Sequence, residues 1–451
     1  MRVIDNKALL LRLRDPQKVT NVIPKSKELS DNRVVVNWGV EEARVLKNLG
    51  INVPSPISTR YDWTGKYSPM KHQKTTSEFF TLNQRAFCFN EQGTGKTASA
   101  IWAADYLMSK GYIRRALVIC PLSIMQSAWG DDLFTFAMHR TVDIAYGSSK
   151  KRREIIKAGA EFVIINYDGV EIVADAIAAG DFDLIIVDEA THYKNPQTNR
   201  WKALNRLLKP DTWLWLMTGT PAAQSPLDAY GLAKLVNPSS VPRFFGSFRD
   251  LVMVKVTNFK WVPKETATDT VFNALQPAIR FTKDECLDLP DMVYVKREVE
   301  LTRQQNKYYK ELKNKMTMQA AGEQITAVNA AVGMNKLLQI SAGAVYTDDG
   351  ESLEFDIKHR YKVLREVIDE SSKKVLVFVP FKHVIDILAD KLTADGIPTS
   401  IIRGDVSGAK RTEIFKQFQS TNTPQVLVIQ PQAAAHGVTL TAANTVVWWG
   451  P

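Results

Sequence analysis

The segment Asn90-Glu91-Gln92-Gly93-Thr94-Gly95-Lys96-Thr97 carries the most informative chemistry in the chain. It follows a short apolar run at 86–89 and precedes a helical stretch at 98–107. Gly93 and Gly95 let the backbone turn tightly, so successive N–H groups can point inward at phosphate oxygens. The helix that follows adds its positive N-terminal end. Lys96 is spaced to reach the β- and γ-phosphates of a nucleotide, and the Thr97 hydroxyl to sit on Mg²⁺. The general phosphate-loop pattern has glycine where this chain has Asn90. The second half of such a site is an acid at the end of a buried strand, and residues 184–192, Leu-Ile-Ile-Val-Asp-Glu-Ala-Thr-His, supply it. Asp188 ends the apolar run, where it could hold Mg²⁺ through water. Glu189 follows, where a carboxylate can orient and deprotonate an attacking water. Acidic pairs at strand ends are common on surfaces; the pairing with Lys96 and Thr97 gives this one its meaning.

Such residues need rigid elements to hold them. From about residue 66, short apolar runs rich in β-branched and aromatic residues recur at 86–89, 116–120, 162–165, 184–187 and 213–217. Stretches long enough for helices separate them. The runs are continuously apolar, as strands buried on both faces are, so the pattern predicts a parallel sheet covered by helices on both sides. A second region repeats the style at 375–379, 400–402, 426–429 and 445–449, the last read as a core strand. The intervening text, from about 225 to 360, is mostly helical. Tyr308, Tyr309, Leu312 and Met316 recur there at helical spacing and predict an ordinary core face. The first sixty residues differ: strand-like runs at 9–13 and 34–36, helical spacing at 41–49, and a breaker cluster of Pro54, Ser55, Pro56 and Ser58 that reads as a linker.

Hydrophobic residues make up 45% and charged residues 24% of the 451, which excludes wholesale disorder, collagen and a coiled-coil rod. No run approaches the roughly 20 apolar residues of a membrane span, and no signal-peptide pattern opens the chain. The three cysteines, Cys88, Cys120 and Cys286, argue against a disulfide framework or zinc cluster and fit a reducing cytosol. Lys and Arg total 58 against 48 Asp and Glu, a net charge of +10, which suits a polyanionic partner such as nucleic acid.

Taken in order, these motifs resemble those of the superfamily-two helicases, and among them the Swi/Snf-type ATPases. Asp188-Glu189-Ala190-Thr191 is similar to the family's acidic box, and a non-glycine residue at Asn90 agrees with its phosphate loop. The text at 67–73, Tyr-Ser-Pro-Met-Lys-His-Gln, resembles the glutamine motif that reads adenine. Cys120-Pro121-Leu122-Ser123 with Trp129, Asn166-Tyr167, Thr218-Gly219-Thr220-Pro221 and Leu235-Val236-Asn237-Pro238 follow in the expected order. Ile279-Arg280-Phe281-Thr282-Lys283-Asp284, Leu289-Pro290 and the text from Val299 to Tyr309 resemble the Swi/Snf inter-lobe brace, though Phe281 stands where a second basic residue is usual. Arg403-Gly404-Asp405 with Arg411, and Ala435-His436-Gly437-Val438-Thr439-Leu440, resemble the later motifs.

The resemblance covers about residues 66–451. It implies an α/β fold: two RecA-like lobes with parallel sheets flanked by helices, helical insertions between them, and a small α+β N-terminal module. The boundaries expected are an accessory module at 1–60, a first lobe with the ATP site at 61–240, an insertion and linker at 241–290, and a second lobe at 291–451. ATP and Mg²⁺ are the implied cofactors. Gln73, Gln92, Gly93, Thr94, Gly95, Lys96, Thr97 and Gly437 would bind ATP. Thr97 and Asp188 would hold the metal, with Glu189, Lys96 and Asp188 catalytic and His192, Thr218, Gly219 and Thr220 coupling. Ser123, Asn166, Lys382, Arg403 and Thr439 would contact DNA phosphates, on duplex or branched DNA. The implied protein is a monomeric, DNA-stimulated ATP hydrolase and translocase, cytoplasmic in a bacterium or a virus's host, and not a membrane protein. An RNA-directed ATPase and a nucleotide-dependent DNA clamp without turnover stay open as alternatives. The family's sixth motif, with paired arginines, does not occur before Pro451, so a truncated and weakly active motor is expected.

Overall fold

A computed structural model of the chain describes every residue except 223, 258–259, 287–291, 323–326, 347–351, 434–439 and 451; the side chains of 317–330 are likewise outside the description. The chain divides into two compact units, Met1–Pro290 and Asp291–Pro451.

The first unit opens with an antiparallel sheet in the order β1-β2-β4-β3, built from β1 (Arg2–Ile4), β2 (Ala8–Arg12), β3 (Lys27–Leu29) and β4 (Arg33–Asn37). Period-two alternation sets its faces. Leu9, Leu11, Val34 and Val36 are buried and cluster with Ala43 and Leu46 of the helix Val40–Asn48. The Pro/Ser cluster expected as a linker is instead packed down. Ser55 and Ile57 are fully buried, and the Ser55 hydroxyl shares a 2.7 Å hydrogen bond with Thr81. Arg44 donates to Gln84 at 3.2 Å, which also ties this part to the body of the unit.

That body is a seven-stranded parallel sheet. Its strands are β5 (Arg85–Cys88), β6 (Ala116–Cys120), β7 (Val142–Ile144), β8 (Phe162–Asn166), β9 (Leu184–Asp188) and β10 (Trp213–Met217). An antiparallel hairpin, β11 (Met253–Lys255) and β12 (Trp261–Pro263), precedes the seventh strand, β13 (Ala278–Ile279). The order is β13-β5-β10-β9-β6-β8-β7. The continuous apolar runs are explained by two cores. Phe87, Leu117, Val163, Ile185 and Leu214 feed the core on one face. Their strand neighbours Ala86, Cys88, Val118, Ile164, Ile186 and Trp215 feed the core on the other. A strand buried on both sides has no polar position to spare.

The second unit begins with the helices Arg303–Gly322 and Ala327–Ala342, then the hairpin β14 (Ala344–Tyr346) and β15 (Ser352–Glu354). A four-stranded parallel sheet follows in the order β17-β18-β16-β19, from β16 (Lys374–Phe378), β17 (Thr399–Ile402), β18 (Val426–Ile429) and β19 (Ala443–Trp448). Two expectations need correction. Tyr308 is 39% exposed, its ring edge-on to Phe355 at 5.4 Å, and Tyr309, Leu312 and Met316 are half-buried, so the aromatic stripe is not a sealed core face. The strand expected in the core is an edge strand, with Val446 and Trp448 exposed and the Trp448 ring stacked on Phe378 at 4.7 Å. Apolarity alone does not separate an edge strand from a central one. No described helix is long and apolar enough to cross a membrane.

Candidate functional site

Open parallel sheets bind ligands beyond the carboxyl ends of their strands. In the first unit, Met217 pairs with Cys88 on one side and Asp188 on the other. The loops after β5, β9 and β10 therefore leave the sheet side by side, bringing the phosphate loop, the acidic pair and Thr218 together.

The loop adopts the left-handed turns its glycines permit, with φ of +84° at Gly93 and +79° at Gly95. A Cβ on Gly95 would lie 2.1 Å from Gln73 Nε2, so packing as well as backbone conformation excludes a side chain there. Gly95 also caps the helix Lys96–Ser109, whose first two residues are Lys96 and Thr97. The buried Lys96 ammonium donates to the carbonyls of Asn90 at 2.9 Å and Glu91 at 3.2 Å, which holds the loop in a receptive shape. The Thr94 carbonyl accepts from the His72 ring N–H at 2.8 Å and from the Gln73 amide at 3.3 Å. The other end of the Gln73 amide accepts from Met70 N–H at 2.9 Å, so both ends of the adenine-reading candidate are engaged by protein.

Asn90 departs from the general loop pattern for a structural reason. Its Nδ2 donates to Thr76 Oγ1 at 2.9 Å, and its Oδ1 accepts from Phe281 N–H at 3.0 Å. Glu91 N–H donates to the Phe281 carbonyl at 3.0 Å, and Lys283 N–H to the Glu91 carboxylate at 3.1 Å. The brace segment thus lies along the phosphate loop as a continuation of β13 beside β5. Asn90→Ala leaves the half-buried Phe281 N–H and the Thr76 hydroxyl without their amide partner, which costs about 1–3 kcal/mol. We expect a thermal midpoint lower by about 2–8 °C, read by calorimetry; an unchanged midpoint would mean that water replaces the amide without loss.

Asp188 and Glu189 end β9. Asp188 is 7% exposed, and burial pushes its carboxyl above the usual range. Its Oδ2 accepts from the Trp129 indole at 2.9 Å and its Oδ1 from Glu189 N–H at 3.0 Å. Glu189 sits in the left-handed region at φ +50°, which turns its side chain out of the strand. Its carboxylate accepts from Gln92 Nε2 at 3.3 Å and from the Thr218 hydroxyl at 3.5 Å. The Tyr167 hydroxyl donates to the Asp188 carbonyl at 2.6 Å. His192, in the turn Ala190–Tyr193, has its ring 4.6 Å from that of Tyr167. The Thr218 hydroxyl accepts from Thr220 N–H at 3.3 Å, and a Cβ on Gly219 would lie 3.7 Å from Gln92 N. Nearby Asp132 has its carboxyl pushed up to about 7, first by burial and then by Asp131 and Asp188. Burial raises the Cys88 thiol to about 12 and lifts Cys120 likewise, so neither is a nucleophile.

Thr97 and Asp188 offer oxygen donors of the kind Mg²⁺ prefers. No cluster of three or more His, Cys, Asp or Glu suited to a metal exists among the described residues. A sparse oxygen set fits a cation that keeps waters and shares nucleotide phosphates rather than one held in an all-protein cage.

The other candidates are spread more widely. Ser123 is exposed in the one-turn helix Leu122–Ile124, at the carboxyl end of β6. Asn166 is buried at the end of β8, with its Oδ1 accepting from Arg152 at 2.8 Å. With Oδ1 so engaged, its Nδ2 is the group left to donate to a phosphate. Lys382 is exposed at the start of the helix Lys382–Ala394. Arg403 is ion-paired with Asp386 at 2.5 Å and Asp405 at 2.8 Å. Arg411 donates to the carbonyls of Ala433, Arg403 and Gly404. Gly437 and Thr439 lie outside the described residues. Sequence reasoning gave no role to His72 or Tyr167 and no partner to Trp129. Nothing local marks these contacts, which join residues 21 to 59 positions apart.

Residues 35–343 match the SNF2-related domain, and residues 359–451 match the helicase conserved C-terminal domain. The chain belongs to the SNF2 family. It is 24% identical over 371 residues to an ATP-dependent helicase of Mycoplasma genitalium, MG018, covering 80% of this chain and 35% of that protein. It is 25% identical over 340 residues to protein p41 of Acyrthosiphon pisum secondary endosymbiont phage 1, covering 71% of this chain and 74% of the phage protein. The Sulfolobus solfataricus SWI2/SNF2 ATPase core in complex with dsDNA aligns with a TM-score of 0.47 and 20% identity, over 86% of this chain and 83% of that one. The SNF2 chain therefore spans about a third of its Mycoplasma relative and most of the phage one.

Proposed function

We propose that this SNF2 chain is a DNA-stimulated ATPase that translocates on duplex or branched DNA through phosphate contacts. The supporting observation is the convergence of the phosphate loop, Asp188-Glu189 and Thr218 at one sheet edge, with the exposed Ser123 turn leaving a neighbouring strand of the same edge.

In this reading the N–H groups of the loop from Gln92 to Thr97 cradle the phosphates. Lys96 exchanges its two carbonyl partners for β- and γ-phosphate oxygens, and Gln73 completes nucleotide binding on this unit. Mg²⁺, when bound, neutralises phosphate charge; Thr97 and Asp188 are the residues that would hold it. Glu189 takes the proton of the attacking water, held in place by Gln92 and Thr218. Gly219, Thr220 and His192 pass the state of Glu189 to the surrounding turns. Ser123, Lys382, Arg403 and Thr439 grip phosphates, which gives register without sequence information; Arg403 exchanges a carboxylate partner to do so. The division of labour we favour is an accessory module at 1–60, the ATP-binding lobe at 61–240, an insertion and linker at 241–290, and the second lobe at 291–451. The protein works as a monomer in the cytoplasm of a bacterium or of a virus's host.

Fluorescence anisotropy with labelled duplexes at stepped salt tests the grip. Binding should fall steeply with salt, since phosphate contacts release counterions, and vary little between sequences. A flat salt dependence, strong sequence discrimination, or tighter binding to structured RNA would count against the reading.

A further inference from the structure

Trp129 has a place in the site that the reaction as described does not use. Its indole is fully buried, and its N–H donates to Asp188 Oδ2 at 2.9 Å across 59 residues of sequence. An indole N–H can only donate and never titrates, so this bond is fixed in sense at every working pH. Asp188 has one oxygen on Trp129 and the other on Glu189 N–H, so the indole sets the plane in which the carboxylate can meet a cation.

The location of Trp129 gives this bond a second end. It lies in a single π-helical turn, Met125–Gly130, directly after the Leu122–Ile124 turn that exposes Ser123. Isolated π turns are uncommon and recur at functional sites. The Ser127 hydroxyl donates back to the Ser123 carbonyl at 3.3 Å, fastening the π turn to the exposed one. Trp129 also packs in the same core as Met125 and Leu133, so the turn cannot shift without carrying the ring along. A short, rigid route therefore runs from a surface turn suited to a phosphate to the carboxylate suited to the nucleotide's cation.

We propose that Trp129 is a positioning residue whose indole N–H transmits nucleic-acid engagement at the Leu122–Ile124 turn to the grip of Asp188 on the divalent cation of the bound nucleotide. This rests on the proposed function, since it takes Ser123 as a nucleic-acid contact and Asp188 as a metal holder. Coupling between two sites is reciprocal, so duplex DNA must change cation affinity if the cation changes DNA affinity. Partners that orient metal ligands typically carry about 10–100-fold of metal affinity.

The test uses the full chain with ADP and Mn²⁺, the latter read directly by electron paramagnetic resonance, with and without duplex DNA. In the parent, DNA should shift the Mn²⁺ dissociation constant several-fold. Trp129→Phe should weaken Mn²⁺ about tenfold and abolish the DNA-dependent shift, with ADP and DNA affinities within twofold of the parent. Because the smaller ring could loosen the core, Trp129 replaced by 3-benzothienylalanine, which keeps the bicyclic shape and lacks the N–H, should behave as Trp129→Phe does. Preserved DNA-dependent shifts in both variants overturn the proposal and leave the proposed function standing. So does an absent shift in a parent chain that binds DNA and is stimulated by it. A parent chain that binds no DNA removes the proposed function and this inference with it.

Discussion

Glu189→Gln should bind ATP as tightly as the parent chain and hydrolyse it about 10²–10⁴-fold more slowly. The geometry explains why these effects separate. Glu189 lies beyond the phosphate loop, turned outward by its left-handed backbone, with Gln92 Nε2 and the Thr218 hydroxyl on its two oxygens. A glutamine there can still accept a hydrogen bond from either neighbour, so the shape of the site survives. It cannot take a proton from water. Single-turnover hydrolysis with equilibrium binding of labelled ATP distinguishes the roles; loss of binding along with hydrolysis would make Glu189 a structural or metal-holding residue instead.

Lys96→Ala should lower turnover by at least about 10²–10³-fold, the effect of removing one preorganised donor from a charged transition state, and should weaken ATP binding as well. Lys96 Nζ donates to the Asn90 and Glu91 carbonyls at 2.9 and 3.2 Å. The loop keeps its other ties, from Asn90 to Thr76 and Phe281 and from Glu91 to Phe281, so the fold should persist, with a thermal midpoint within about 4 °C of the parent. Circular dichroism and calorimetry check the fold, and a coupled phosphate-release assay checks turnover. Undiminished hydrolysis in this variant would move the nucleotide elsewhere.

The sequence disclosed the chemistry that is local and hid the chemistry that is tertiary. Residues 90–97 are contiguous, so their glycines, lysine and threonine could be read as one device, and the five long runs of the first sheet needed only continuous apolarity to be placed. Strands β7 and β13, of three and two residues, are too short to leave a pattern. Asn90 looked like a departure from a loop rule until the fold brought Thr76 and the distant Phe281 to its amide. Asn166 shows the same limit: motif order makes it a DNA-contact candidate, and only the fold shows that it closes the fully buried strand β8 in register with Cys120 and accepts from Arg152. Ser55 and Ile57 were hidden by their neighbours, since Pro54 and Pro56 mark a linker only when nothing packs on them.

Nucleic acid should govern ATP hydrolysis at this site. The most direct measurement is the steady-state ATPase rate of the full chain with no nucleic acid, with duplex DNA, with single-stranded DNA and with structured RNA, with Lys96→Ala in parallel. Duplex DNA should raise the rate above all the others, with Lys96→Ala silent throughout. A rate indifferent to DNA, or raised as much by structured RNA, would contradict it.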